Sequence, residues 1–440
     1  MKRILSLILA AMVTASMAGC GAKNPPAAST PASSAAADQV EIDYWHAMSG
    51  VNEEAMKKIT DDFMVQNPHI KVNLVNQGKY TDLFDKLMAS AKANQMPVIS
   101  QVYSNRLSWY IAKDLVTDLT PYMQAAGTGF TQEDLADVPK MFLDDGIWNG
   151  KQYAMPFNKS QMVLYYNEGM LKEAGVEVPK TWAEWTEASK KLTVDKDGDG
   201  TPEIYGTVFA NNLSTDIAPW FKQAGGDTMD EATNTLYFDT PESAEAVNFL
   251  NNMIQSKTAR LAGDDKSANV PLQQGRAAMC VASTSALPYI EKDTAEGIII
   301  NAAELPAHKT DDQLFYGTNV AVFNSGTDAQ KQAAWDYIKF LTNTQNTAYF
   351  AAQTGYIPVR KSAKDDPVFK KVLDEKPIKM LPFTCMDRGF QGARNIGEIN
   401  ALNALGDELQ QVFAGKKSVA DALKSAQELG AKAMEQARNS

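Results

Sequence analysis

The sequence predicts an α/β protein of two domains, and three observations carry that expectation. From Val40 onward, strand-like stretches alternate with helical ones, the order of a largely parallel sheet flanked by helices. The chain has 440 residues, and the roughly 400 left after removal of an export leader suit two domains of ordinary size better than one. The stretch Tyr153 to Asn167, YAMPFNKSQMVLYYN, opens with a bend signal at Pro156, continues through the polar trio Asn158, Lys159 and Ser160, and ends in an apolar run from Met162 to Tyr166. That run is β-branched and aromatic and too short for a helix, so it reads as a buried strand. Polar groups at its start suit a crossover between two sheets, and equally a surface loop entering a core strand.

At the N-terminus, Lys2 and Arg3 precede an apolar run, Ile4 to Met17, which is too short to span a bilayer as a permanent helix. Small residues and Cys20 follow, so residues 1–19 read as a signal peptide. Met17-Ala18-Gly19-Cys20 resembles a bacterial lipobox. That resemblance implies acylation of Cys20, palmitate included, and a lipid-anchored protein on the extracytoplasmic face of the cell membrane. Residues 20–38 hold Pro25, Pro26 and Pro31 among Ala and Ser, with too little apolar surface for a core, and read as a leash. Loss of Lys2 and Arg3 with the leader moves the net charge from −11 to −13. Such a body repels nucleic acid and anionic lipid. Cys280 and Cys385 have no metal spacing; buried thiols and a disulfide are both open for an exported chain.

Val40, Ile42 and Tyr44 alternate as a first strand, with Trp45 to Gly50 as a loop. A helix follows, capped by Ser49 or Asn52, with Glu53 and Glu54 in its first turn and Met56, Ile59, Phe63 and Met64 on one face. Asn67-Pro68 stops it. Ile70, Val72 and Leu74 form a second strand, Asp82 to Ala93 a helix, and Pro97 to Tyr103 a third strand. In such sheets ligands gather beyond the carboxyl ends of strands, which draws attention to Trp45, His46, Tyr80, Tyr103 and Ser104; packing explains Trp45 and His46 equally well. Trp182 and Trp185 open a later helix and share a face, where an indole stacks on a sugar or packs in a core. Trp220 adds a further candidate wall. A turn and strand, Gly275 to Ala282, lead to Ser283, Thr284 and Ser285, which suit ligand donors or simple caps. Gly317 to Phe323 reads as a return strand and Thr354 to Val359 as a third bend. The tail forms two amphipathic helices, Asn400 to Phe413 and Ser418 to Ala437.

Five motifs together resemble the extracellular solute-binding proteins of ATP-driven (ABC) importers, the family of maltose and glycerol-3-phosphate receptors, and most closely the glycerol-3-phosphate branch. They are Tyr44-Trp45-His46-Ala47-Met48-Ser49-Gly50, Gln101-Val102-Tyr103, Pro156 to Ser160 with Val163 to Asn167, Lys180-Thr181-Trp182, and Thr354 to Pro358. The resemblance implies a two-lobed periplasmic-binding-protein-like fold with three interlobe crossovers (type II). The lobes would be residues 39–155 plus 317–354, and 156–316 plus 355–440. It also implies a monomer that passes its solute to permease subunits, with no catalysis. Ligand contacts carried over from the branch fall on Tyr80, Ser160, Trp182, Ser283, Gly317 and Tyr356. Ser104 stands where the branch has a glutamate for a glycerol hydroxyl. Its phosphate-binding arginine has no counterpart at Gly397 to Ala401, and Arg394 is near but offset. A site without that arginine loses a charge-assisted hold on phosphate. A neutral carbohydrate or polyol is therefore expected, with a glycerol-3-phosphate-like ester as the second option.

One loop stands apart. Asp195, Asp197 and Asp199 occupy positions one, three and five of an EF-hand-like pattern, with Gly200 at six, Thr201 at seven and Glu203 at nine, but Gly206 at twelve lacks the bidentate carboxylate. A structural Ca²⁺ and a solvated turn are both open. Two other functional classes compete with solute capture for import. A glycan hydrolase needs paired carboxylates, which no spacing singles out, and a sensory lipoprotein would share the same binding physics.

Overall fold

The structure, a computed structural model, describes residues 39–439. The signal peptide, Cys20 and the leash lie outside the described residues. The strands Val40–His46, Ile70–Asn76 and Ile99–Val102 run parallel, with Val40–His46 in the middle. The first strand extends through Trp45 and His46, which the sequence placed in a loop. His46 is buried, and its Nδ1 accepts the Met48 N–H at 3.2 Å. Burial pushes this imidazole down to about 4, so it stays neutral. The helix Val51–Gln66 buries Met56, Ile59 and Phe63 as its periodicity requires. Its cap is Gly50, without a side-chain bond, and neither Ser49 nor Asn52 takes that role. Both are engaged elsewhere: the Tyr289 hydroxyl donates to the Ser49 carbonyl at 3.3 Å and accepts from Asn52 Nδ2 at 3.4 Å.

Pro156 does not bend the chain. Residues Ala154–Asn167 form one unbroken strand, and the irregularity falls on its partner, Gln313–Val322, whose register shifts between Gly317 and Asn319. Gly317 has φ +133°, and a Cβ there would stand 2.2 Å from the Asn158 carbonyl oxygen. Only glycine lets the two backbones approach so closely.

Ten strands share one sheet, whose main path runs Ile70–Asn76, Val40–His46, Ile99–Val102, Gln313–Val322, Ala154–Asn167, Ala277–Ser283, Tyr205–Phe209, Ala259–Leu261. Its ends are parallel and its centre antiparallel. The expected largely parallel sheet is therefore mixed, because the two long strands run against each other and against their outer neighbours.

Two large cores flank this centre. One gathers Ile42, Tyr44, Ile59, Phe63, Trp335 and Ile338; the other gathers Trp185, Phe209, Trp220, Leu250, Leu405 and Leu409. The chain passes between them along its long strand: Met155 and Phe157 pack in the first core, Met162 and Leu164 in the second. It returns along Gln313–Val322, with Leu314 in the second core and Val320 and Val322 in the first. After Tyr356, which packs on the first core, the chain goes back to the second, where the helices Glu398–Phe413 and Val419–Asn439 bury their apolar faces. Cys280 and Cys385 are buried free thiols.

Candidate functional site

A cavity of about 320 Å³ is lined by Tyr80 and Phe84, which pack on a smaller cluster around Leu107 and Tyr110, and by Leu314, Tyr316 and Leu402 of the second core. Its walls are built where regular elements end. The strand Ile99–Val102 runs out at Tyr103, and the helix beginning at Ser104 brings Asn105 and Arg106 to the cavity. The helix Tyr80–Ala93 contributes Tyr80 and Phe84. The return strand supplies Leu314, Tyr316 and Gly317, the loop before the helix Ala218–Gln223 supplies Asp216, and Gly397, at φ +83°, turns the chain so that Glu398 opens the next helix at the cavity.

The site is aromatic and rich in acceptors. Tyr80 and Tyr103 meet edge to face with ring centroids 5.1 Å apart, and the Arg106 guanidinium lies 3.6 Å over the Phe84 ring. Burial holds the Tyr80, Tyr103 and Tyr316 phenols well above their ordinary value, so they remain hydrogen-bond donors. Burial also pushes Asp216 up to about 6 and Glu398 up to about 8; for Glu398, the Asn105 amide and Arg106 oppose the rise.

Beneath the cavity the polar trio of the long strand is wholly buried. Lys159, 0% exposed, pairs with Asp145 at 2.5 Å, and the Asn319 amide donates to the same Asp145 oxygen at 2.9 Å and to Ser104 Oγ at 3.0 Å. Asn158 Nδ2 donates to the Tyr80 hydroxyl at 2.9 Å, and its Oδ1 accepts from Gln101 Nε2 at 2.9 Å. Desolvation lowers the Lys159 ammonium and Asp145 opposes that fall. These two sets of hydrogen bonds link both long strands to cavity-lining side chains.

Of the residues singled out from sequence, Tyr80, Tyr103, Ser104 and Gly317 line the cavity. Ser160 sits behind its wall, where Oγ donates to the Tyr316 carbonyl at 3.4 Å. Ser283 caps the short turn after its strand and shares a 2.8 Å hydroxyl contact with Ser285. Tyr356 stacks on Phe350, with ring centroids 5.7 Å apart. Two expected wall residues are elsewhere. Trp182 lies in the second core between Phe249 and His308, and Trp220 is fully buried against Trp185 and Phe209. Both are drawn inward by their large apolar area. Arg394 is committed as well, to Glu231 at 3.1 Å, the Asp144 carbonyl and the Trp148 ring, so it is not a free cation replacing the missing arginine. Sequence reasoning passed over Phe84, Asn105, Arg106, Asp145, Asp216, Tyr316 and Glu398. Of these only Asn105 and Arg106 carried a signal, their place just beyond a strand's carboxyl end.

In the acidic loop, carboxylate oxygens of Asp195, Asp197 and Glu203 lie within 4.8 Å of one another. Asp199 is not part of this cluster; its Oδ1 accepts the Thr201 N–H at 2.7 Å. The Lys257 ammonium donates to the Gly200 carbonyl.

Two cores joined by three passages of the chain, with an aromatic-walled cavity that carries a few polar groups, have the architecture of a solute-binding protein. The chain belongs to the bacterial extracellular solute-binding protein family, whose model matches residues 58–374. It is 24% identical over 413 residues to the sn-glycerol-3-phosphate-binding periplasmic protein UgpB of Agrobacterium fabrum, covering 90% of this chain and 93% of that one. Two solved structures share its two-lobed fold. The ABC substrate-binding protein Lmo0181 from Listeria monocytogenes, in complex with cycloalternan, superposes with TM-score 0.79 at 21% identity, over 90% of this chain and 100% of that one. UgpB from Mycobacterium tuberculosis, in complex with glycerophosphocholine, gives 0.78 at 23%, over 90% and 98%. No helix among the described residues is long and apolar enough to cross a membrane.

Proposed function

We propose that this protein captures a neutral carbohydrate or polyol between its lobes, residues 39–155 plus 317–354 and 156–316 plus 355–440, and delivers it to the permease of an ABC importer. The observation that carries the ligand class is the cavity itself. Tyr80, Phe84, Tyr103 and Tyr316 offer apolar faces for a sugar ring, and Ser104, Asn105, Gln391, Asp216 and Glu398 offer partners for hydroxyls. Of the cations near the cavity, Lys159 is held by Asp145, and Arg106 lies with its face against Phe84. A phosphate ester would have Arg106 alone to replace its water. The cycloalternan complex of the Listeria relative supports a sugar ligand, and the glycerophosphocholine complex supports a polyol ester.

Closure follows from contacts that a solute makes with both lobes at once. A thermal-shift screen of sugars, oligosaccharides, polyols and glycerophosphodiesters, followed by calorimetry, tests the reading, since a ligand of the folded state raises its melting temperature by mass action. Tyr103→Ala should then weaken binding roughly ten- to a hundredfold, the equivalent of about 1–3 kcal/mol. Failure of every neutral compound, with tight binding of a phosphate ester, overturns it.

The same reading includes a monomer anchored at the membrane surface by lipid on Cys20 and a structural Ca²⁺ bound near Asp195, Asp197 and Glu203, with Asp199 and the Thr201 carbonyl as further ligands. The lipobox-like motif and the leash support the anchor. The convergence of three carboxylates supports the cation. Cys20→Ser should release the protein from membranes; unchanged retention, with no lipid adduct by mass spectrometry, removes the anchor. Co-purification with a permease separates import from a purely sensory role.

A further inference from the structure

Lys159 is wholly buried, and it stands where the three passages of the chain lie side by side. It pairs with Gly317 of the return strand, and its carbonyl accepts the Ile357 N–H of the third passage at 2.7 Å. A buried ammonium persists only where a partner replaces the water it has lost. Asp145 Oδ2 does so at 2.5 Å, and Asn319 Nδ2 donates to that same oxygen at 2.9 Å. Asn319 also donates to Ser104 Oγ, at 3.0 Å. Asp145 and Ser104 both line the cavity, whereas Lys159 and Asn319 are fully buried behind them. The arrangement fixes what the two lining groups have left over. Asp145 keeps Oδ1, which takes no hydrogen bond from the described residues. Ser104 accepts from Asn319 and donates to no described residue, so its proton is free. Both side chains are bonded to the same Asn319 nitrogen, which makes an acceptor and a donor neighbours at the cavity wall. A hydroxyl group both gives and takes a hydrogen bond, and so matches such a pair.

We propose that Asp145 Oδ1 and the Ser104 hydroxyl form an acceptor and donor pair for the hydroxyl groups of the solute, and that Lys159 is the positioning residue that holds the Asp145 carboxylate in place for it. This deepens the carbohydrate reading and rests on it. Lys159 acts only through Asp145, since the cavity lining does not include it. Its ammonium takes one carboxylate oxygen and thereby leaves the other for the solute. Its backbone is tied to both neighbouring passages, so the carboxylate is fixed to the part of the fold that the two lobes share.

The test is calorimetry of the mature protein with cycloalternan, maltotriose, tagatose and glycerol. It compares wild type with Asp145→Asn, Ser104→Ala, Lys159→Met and the double variant Lys159→Met/Asp145→Asn, each first shown by melting to be folded. For the compound that wild type binds most tightly, Asp145→Asn and Ser104→Ala should each weaken binding about tenfold. Lys159→Met should weaken it about as much, although Lys159 does not reach the cavity. The double variant should bind as Asp145→Asn does, whereas two independent effects would multiply to about a hundredfold. Lys159→Met leaves a buried carboxylate without its cation; if it does not fold, Lys159→Gln, which keeps an N–H for Asp145, takes its place in the same comparison. A folded Lys159 variant that melts lower but keeps wild-type affinity makes Lys159 a purely structural residue and overturns the proposal. Unchanged binding in either Asp145→Asn or Ser104→Ala overturns it as well. Wild type that binds none of the four compounds is a different result: it removes the carbohydrate reading, and the proposal with it.

Discussion

Trp182 stacks its indole between Phe249 and His308, with ring centroids 4.2 and 4.4 Å away, and donates Nε1–H to Gln223 Oε1 at 2.8 Å. With its apolar faces covered and its one donor satisfied, it has nothing left to offer a sugar. Trp182→Ala should therefore cost stability, about 3–5 kcal/mol by denaturant unfolding, while changing solute affinity of the folded protein by less than about threefold. A tenfold loss of affinity with unchanged unfolding would return Trp182 to the ligand. The contrast with Tyr316 is instructive. Both are aromatic, but Tyr316 is only partly buried against the second core and lines the cavity.

At the scale of elements, the two long strands show how much of a crossing is local. Alternation and β-branching marked Met162 to Tyr166, and the polar trio marked the place of passage. The unbroken run through Pro156 was not legible, because a proline's effect on a strand depends on whether its missing N–H faces a partner. The Asp195 to Glu203 loop is an element whose shape repeats its sequence: Gly198 and Gly200 take positive φ, and Asp195 accepts the N–H groups of both at 2.8 Å. Three carboxylates crowded there repel one another until a cation arrives. Added Ca²⁺ should raise the melting temperature and a chelator lower it, with Asp195→Asn abolishing the difference. Identical melting with and without Ca²⁺ would leave a solvated turn stabilised by Lys257.

At the scale of the whole molecule, the buried carboxyls make stability depend on pH. Glu398 titrates near 8 when folded, against 4.5 ordinarily, and Asp216 near 6, against 3.8. Between those values the folded state holds more protons than the unfolded one, so the contribution is full at low pH and is lost as pH rises through about 6 and then about 8. Each unit is worth roughly 1.4 kcal/mol, which makes the Glu398 contribution several kcal/mol. Unfolding measured from pH 5 to pH 8 should show a decline that Glu398→Gln flattens; an unchanged slope in that variant would mean that Glu398 titrates as it does in water.

The sequence by itself determined the α/β elements, the places where the chain passes between cores, and the family, because each rests on short-range periodicity or on motifs contiguous in the chain. It also brought Tyr80, Tyr103 and Ser104 into view, since they stand at a strand end or beside a helix start, and Gly317 through the family resemblance. Which side chains share one cavity was decided by tertiary structure alone. Arg106, Asp145, Asp216, Tyr316 and Glu398 come from five separate segments, and no local pattern encodes their meeting. Whether a tryptophan faces a solute or a core is likewise a matter of which apolar surface lies opposite, so Trp182 and Trp220 went to the interior, where the area they remove from water is largest.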